Sequence, residues 1–188
     1  MIIEMNIYLV RHGENEDNAA GILNGRRDLP LTALGKEQSL AVAIALAKRV
    51  KKIDAIYSSP LLRARQTAEV IADKTGVKDF IVEDDLIERD YGILTGKSRT
   101  DIPKYSSNNI QVGNLLYFLN AADAESFPDT YLRAQRLLKE IEKSRYATVI
   151  MVGHRDICVM IQAAFYEWGW EEGLRKAHMD NADVLKLG

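Results

Sequence analysis

Apolar positions along this chain follow two periods that alternate. Ile7-Tyr8-Leu9-Val10 is a short run of β-branched, aromatic and aliphatic residues that breaks at once into Arg11-His12-Gly13. That is how a buried parallel strand hands polar groups to a loop at its carboxyl end. Ile53 to Tyr57, closed by Ser58-Ser59-Pro60, and Ala147 to Val152, closed by Gly153-His154-Arg155-Asp156, repeat the pattern. Phe80 to Val82 predicts a brief further strand and Ala182 to Leu187 a final one.

Between these runs the period lengthens. Thr32 is placed as the N-cap of a helix reaching about Lys48, where nearly unbroken Leu, Ala, Val and Ile from Leu40 to Ala47 predict packing on most of its circumference. Apolar positions 61, 64, 68 and 71 predict a helix from Leu61 to Lys74 that Thr75-Gly76 ends. Pro128 opens a helix to about Ser144 with its stripe at Leu132, Leu137, Leu138 and Ile141. Ile157, Ile161 and Ala164 mark another, leading to Trp168-Gly169-Trp170.

Strands alternating with helices predict an α/β fold, three layers with a mostly parallel central sheet and helices on both faces. The turn formers from Gly21 to Pro30 predict an exposed loop. Residues 97–127 mix Ser, Asn, a proline and the apolar patch Leu115 to Leu119, and read as a partly helical lid or insertion. With no repeat, low-complexity tract or linker, residues 1–188 are expected to form one domain.

Charge and cysteine usage narrow the function classes. Lys plus Arg total 25 against 27 Asp plus Glu, so a net charge of −2 gives no global attraction to nucleic acid or to an anionic membrane. An anion site has to be local. The single cysteine, Cys158, rules out an internal disulfide and a multi-cysteine metal site and fits a reducing compartment. The N-terminal apolar run is cut by Glu4 and Asn6 and reaches Arg11 too soon for a leader or a spanning helix, so the protein is expected to be cytoplasmic.

If the sheet is parallel, three strand ends share one edge: Arg11-His12, Ser58 to Arg65, and His154. Two imidazoles and several guanidiniums then meet beside the acidic stretch containing Glu88. Cations assembled without a matching carboxylate for each are suited to holding an anion, most simply a phosphate.

The motifs at those ends carry a resemblance. Arg11-His12-Gly13-Glu14 with Asn18, Leu31-Thr32 with Gly35, and Ser58-Ser59-Pro60-Leu61-Leu62-Arg63-Ala64-Arg65-Gln66-Thr67-Ala68 resemble the histidine phosphatase, or phosphoglycerate mutase-like, superfamily. Leu86-Ile87-Glu88-Arg89-Asp90-Tyr91-Gly92, Glu125-Ser126 with Asp129 and Arg133, Val152-Gly153-His154 and Asn181-Ala182-Asp183-Val184 extend it in order along nearly the whole chain. The resemblance implies a phosphoglycerate mutase-like fold and a metal-independent hydrolase with no cofactor. It implies His12 as the nucleophile that becomes phosphohistidine, with Arg11, Arg63 and His154 gripping the phosphoryl oxygens and Asn18 as an auxiliary donor. Glu88 is implied as the general acid, with Asp156 a lesser candidate. Asn24, Gly25, Arg89 and Arg155 are expected on the substrate side. The chemistry agrees, because a nucleophilic imidazole has to be neutral and nearby arginines with partial burial hold it so.

The chain departs from the family pattern at two places. Arg155 stands where the family often has Gly, and either reaches toward substrate or points to solvent. Asn15 stands where Ser or Thr is frequent. Arg26, Arg27, Arg89, Lys97 and Arg99 could read the rest of a substrate or lie on the surface. Gly92 to Ser98 resembles a nucleotide-binding phosphate loop but is one residue short and follows no apolar strand. Histidines 12, 154 and 178 lack the close spacing of metal ligands. The expected partner is a small phosphorylated metabolite, and nucleic acid and membrane are not expected partners. The reaction is read as phosphomonoester hydrolysis, with mutase-type transfer and a non-catalytic binding module as alternatives. Oligomeric state stays open.

Overall fold

The computed structural model describes residues 5–144 and 146–188, and the apolar run at residues 1–4 discussed above lies outside them. β1 (Asn6–Arg11), β2 (Ala55–Ser58), β3 (Ile81–Val82), β6 (Thr148–Gly153) and β7 (Val184–Leu187) form one sheet in the order β3-β2-β6-β1-β7. All pairs are parallel except β1 with β7. Side chains alternate strictly across it, as the strand period of two requires. Ile7, Leu9, Ala55, Tyr57, Val149 and Met151 face one core, and Val10, Ile56, Ile150 and Val152 face the other.

Helices cover both faces, giving three layers. α2 (Ala33–Arg49) and α3 (Leu62–Thr75) pack on the second core; α5 (Phe127–Lys143), α6 (Arg155–Phe165) and α7 (Trp170–Lys176) pack on the first. Thr32 caps α2 by accepting from the Gly35 N–H, and Ser126 caps α5 by accepting from the Asp129 N–H, each contributing about 1 kcal/mol. Gly76 ends α3 with φ of 73°, the left-handed geometry that glycine takes without strain. Among the described residues no helix is long and apolar enough to cross a membrane.

Two apolar patterns pack less than expected. Leu40 and Ile44 of α2 are each 40% exposed and Leu132 of α5 is 57% exposed, so α2 buries one face rather than most of its circumference and Leu132 leaves the stripe. A continuous run of aliphatics exceeds what one sheet face can cover.

Residues 97–127 are partly helical, as expected, and also carry strands that the sequence reading does not place. Their helical content is a 3-10 turn at Arg99–Asp101 running into α4 (Ile102–Tyr105); the rest is dominated by a hairpin of β4 (Asn109–Val112) and β5 (Leu115–Phe118). Gly113, with φ of 54°, and Asn114 make its two-residue turn. Phe118 and Ile102 join Leu23, Tyr91, Leu94 and Ala121 in a third small core beside the sheet's carboxyl edge.

Candidate active site

Parallel pairing of β1, β2 and β6 sends Arg11-His12, Ser59 and His154 out of one edge. Behind them the loop after β1 lies directly on the first turn of α2. A Cβ on Gly13 or Gly35 would collide with the backbone of the opposite segment, so this approach requires both glycines. The Gly13 N–H donates to Thr67 Oγ1 of α3, which fixes His12 between two helices.

Both ring nitrogens of His12 are assigned by their neighbours. Nδ1 lies 2.6 Å from the Gly13 carbonyl and has to donate to it, while Nε2 accepts from Arg63 Nε at 3.1 Å. The imidazole is therefore neutral with its lone pair on Nε2. Burial, then the charges of Arg63 and Arg11, drive its pKa well below the ordinary 6.5.

The remaining donors of Arg63 are oriented from below. α3 presents the residue fully buried, with Nη1 donating to the Arg27 carbonyl at 2.6 Å and Nη2 to the Gly25 carbonyl at 3.0 Å. The 21–30 segment is thus less exposed than its composition predicts, since Leu23, Asn24 and Gly25 are buried. Gly25 supports Arg63 through its carbonyl and does not line the cavity, which corrects its placement on the substrate side. Arg11 donates from Nη1 to the Met179 carbonyl at 2.9 Å, and its buried Nε has no partner among the described residues. Burial and the neighbouring Arg155 lower its pKa to about 10, still fully cationic near neutrality.

His154 is fully buried beside His12, ring centroids 4.9 Å apart, rather than on the cavity wall. Its Nε2 lies 2.7 Å from Ser59 Oγ, which already accepts from the Leu61 N–H. Nδ1, on the other side of the ring, has no partner among the described residues. Buried polar atoms without partners are expensive, and Arg11 Nε and His154 Nδ1 are two of them among the residues around His12, where an anion's oxygens would be stabilised.

Glu88 arrives from the acidic segment. Arg133 pins that segment by donating Nη1 to the carbonyls of Asp85 and Ile87, each at 2.7 Å, while its other nitrogens pair with Glu125 at 3.0 Å. The Glu88 carboxyl accepts from the Arg89 N–H at 2.9 Å and, more loosely, from the first N–H groups of α6. Burial first, and Asp156 second, raise its pKa, so it holds a proton to higher pH than an ordinary carboxyl. With Arg11, His12, Asn18, Asn24, Arg63, Tyr91, Arg99 and Arg155 it lines a small cavity of about 40 Å³.

Other expected residues have different roles. Arg89 is buried, with Nε 2.8 Å from Asp156 and its guanidinium stacked 4.0 Å and 4.1 Å from the rings of Phe118 and Phe127. It is a tie between the hairpin, α5 and α6 and not a reader of substrate; breaking such a pair costs about 3–5 kcal/mol. The same pair removes Asp156 as a proton donor and leaves it as the charge beside Glu88. Asn24 lines the cavity with its amide paired reciprocally to Asn15 at 2.9 Å. Asn15 caps α1 (Glu16–Ala19) through Asn18, whose Oδ1 accepts from Asn181 Nδ2, leaving the Asn18 amide hydrogens for the cavity. Arg26 pairs with Asp90 and Glu125, Arg27 with Asp17, and Lys97 sits over Tyr105. Sequence reasoning gave no role to Tyr91, Asn181 or the Met179 carbonyl, and placed Ser59 at the edge without a role.

The two buried imidazoles set a pH dependence of stability. Native His12 and His154 bind no proton at pH values where unfolded imidazoles, with pKa 6.5, do. Stability from this source is complete above that value and falls as pH drops through it, by about 1.4 kcal/mol per pH unit for each ring. Glu88, with its raised pKa, acts in the opposite direction and offsets at most one of the two. The midpoint of thermal unfolding should therefore drop between about pH 7 and pH 5.5, and His154→Asn should flatten that slope. A midpoint that rises on acidification would contradict the neutral pair.

Comparison with known proteins agrees with this geometry. The model for the histidine phosphatase superfamily (branch 1) matches residues 7–188. A Hydrogenobacter thermophilus protein named "Putative phosphoserine phosphatase 2" is 33% identical over 184 residues, 96% of this chain and 88% of that one. A 2,3-bisphosphoglycerate-dependent phosphoglycerate mutase of Rhizobium etli is 36% identical over 130 residues, 68% of this chain and 62% of its own length. In fold, a mycobacterial glucosyl-3-phosphoglycerate phosphatase superposes with a TM-score of 0.84 at 24% identity, covering 98% of this chain and 92% of that one. A phosphoserine phosphatase of Entamoeba histolytica, solved with 3-phosphoglyceric acid, gives 0.78 at 24% identity, covering 97% and 89%. With the family model spanning β1 to β7, the chain belongs to the histidine phosphatase superfamily, branch 1.

Proposed function

We propose that the protein hydrolyses the phosphomonoester of a small metabolite through a phosphohistidine on His12, within a single domain and in the cytoplasm. The observation that carries this reading is the neutral His12 with its Nε2 lone pair at a small cavity lined by Arg11 and Arg63, where Arg11 Nε has no acceptor among the described residues. Nε2 attacks phosphorus as the ester P–O bond breaks, and Glu88 gives its proton to the departing oxygen. Water then attacks the phosphohistidine, Glu88 takes the water's proton, and the P–N bond breaks to release inorganic phosphate and restore both groups. Arg11, Arg63 and His154 hold the equatorial oxygens, where phosphoryl transfer needs positioning and charge neutralisation. For attack, Arg63 Nε moves its hydrogen bond from Nε2 to a phosphoryl oxygen.

Mutase-type transfer is the second reading, favoured by the identity to the Rhizobium enzyme. Hydrolysis is preferred because the alignment to the phosphatase-named relative runs along nearly the whole chain, and the mutase alignment does not. A screen of phosphorylated metabolites with purified protein in chelator, with 3-phosphoglycerate isomerisation run alongside, separates them. Phosphate release with little isomerisation is expected; isomerisation outrunning release would establish the mutase, and absence of both would leave only a binding role.

A further inference from the structure

The phosphoryl-sized cavity opens beside a second one of about 260 Å³, and the two share Leu23, Tyr91, Arg99 and Arg155 in their walls. Whatever ester group enters the small cavity therefore extends its alcohol past those two arginines. Beyond them the wall is largely apolar, built by Ile102, Leu115, Leu116 and Phe118. Thr100 and Asn114 add polar edges, and the hydroxyl of Tyr117, a residue 5% exposed, lies buried behind that wall without a hydrogen-bond partner among the described residues. Charge in the wall is unbalanced, with Arg89, Arg99 and Arg155 against Asp156, and that carboxylate is already taken by Arg89.

The two junction arginines differ in commitment. Arg155 reaches Asp180 at 3.3 Å, but that aspartate is 67% exposed and so a weak partner, while the arginine side chain is 16% exposed. Arg99 makes no ion pair among the described residues and stands on the 3-10 turn leading into α4. A planar guanidinium suits a carboxylate bidentately, and two at one junction repel each other until an anion lies between them.

Resting on the phosphatase reading, we infer that the leaving alcohol carries a carboxylate gripped by Arg99 and Arg155 at the junction, and a compact apolar body that fills the second cavity toward the Tyr117 hydroxyl. The cavity lies just under the roughly 300 Å³ at which ordinary ligand pockets begin, which fits a single ring or a short branched chain. Arg155 replaces the family's frequent glycine, so the subsite is a property of this chain and not of the phosphoryl clamp.

The test uses three aryl phosphates of the same shape: phenyl phosphate, 3-carboxyphenyl phosphate and 3-carbamoylphenyl phosphate. The ratio of kcat/KM for the carboxylate over the carboxamide should be roughly tenfold to a hundredfold in the native protein. Arg155→Gln and Arg99→Ala should each cut that ratio several-fold, Arg155→Lys should keep part of it, and the Arg155→Gln/Arg99→Ala double variant should bring it near one. Tyr117→Phe should lower kcat/KM for the aryl esters with little change in the ratio. A native ratio near or below one, or a ratio that survives in the double variant, overturns the subsite while His12-dependent turnover of phenyl phosphate leaves the phosphatase reading intact. Absence of turnover on all three overturns both.

Discussion

Replacing His12 with alanine is expected to reduce hydrolysis of an aryl phosphate by roughly 10⁴-fold or more, as removal of an enzyme's nucleophile does. The nitrogen lost is the one atom at the cavity that is both a lone-pair donor and held at the end of a rigid strand. Gly13 and Gly35 fix the loop from behind and the Gly13 carbonyl fixes the ring, so no neighbouring side chain can take over the attack. His154, the nearest substitute, is fully buried with its Nε2 turned to Ser59 at 2.7 Å. The fold should survive, because β1 keeps its pairing to β6 and β7, and Arg63, which loses its bond to Nε2, keeps its donations to the Arg27 and Gly25 carbonyls. Brief reaction with substrate and an alkaline quench should show labelled phosphate on the native protein, lost on acidification, and none on His12→Ala. Retained turnover in the variant, or a phosphate bond stable to acid, would sink the nucleophile assignment.

How much of this was readable beforehand depended on what positions each group. Arg11, His12 and His154 end apolar strands, and Arg63 follows one on a helix of regular period, so periodicity plus a parallel sheet gathers them before any contact is known. Glu88 needed the resemblance, since its own surroundings are a charged stretch without period. The groups misread are those whose role is set by tertiary partners. Arg89 looks like a surface charge in sequence, yet Phe118, Phe127 and Asp156, far apart in the chain, enclose it. Gly25 acts through a carbonyl and Asn181 through an amide to the His12 carbonyl, and neither leaves a mark on residue type or spacing. The β4–β5 hairpin was the one missed element with a readable signal: Gly113-Asn114 between apolar-rich runs is a two-residue turn. It was hidden because the hairpin packs on two cores, with Ile110, Val112, Leu115 and Tyr117 on the first and Leu116 and Phe118 on the third, so both of its faces are apolar and its alternation is weak.

Glu88→Gln should divide substrates by leaving group. An alkyl phosphate departs as an alkoxide unless a proton is supplied, and loss of the general acid should lower its turnover by roughly 10²–10⁴-fold. A nitrophenyl phosphate departs readily as an anion, so phosphorylation of His12 should suffer far less. The second step then lacks its base, and the phosphohistidine should accumulate as a burst of nitrophenol followed by slow turnover. The pH profile carries the same information. In the native protein turnover of an alkyl ester falls at low pH only when His12 gains a proton, well below the ordinary 6.5, and falls at high pH when Glu88 loses the proton that burial and Asp156 help it keep. Asp156→Asn removes the repelling charge and frees the Arg89 cation nearby, so the alkaline limb should move to lower pH, and in Glu88→Gln that limb should vanish. Equal losses for alkyl and nitrophenyl esters, with no burst and an unchanged alkaline limb, would mean that the proton comes from elsewhere. The geometry leaves few sources: Tyr91, whose pKa burial drives far up, holds its proton too tightly, and Asp156 is spent on Arg89. Among the acids at the small cavity, Glu88 is the group whose environment lets it donate in one step and accept in the next.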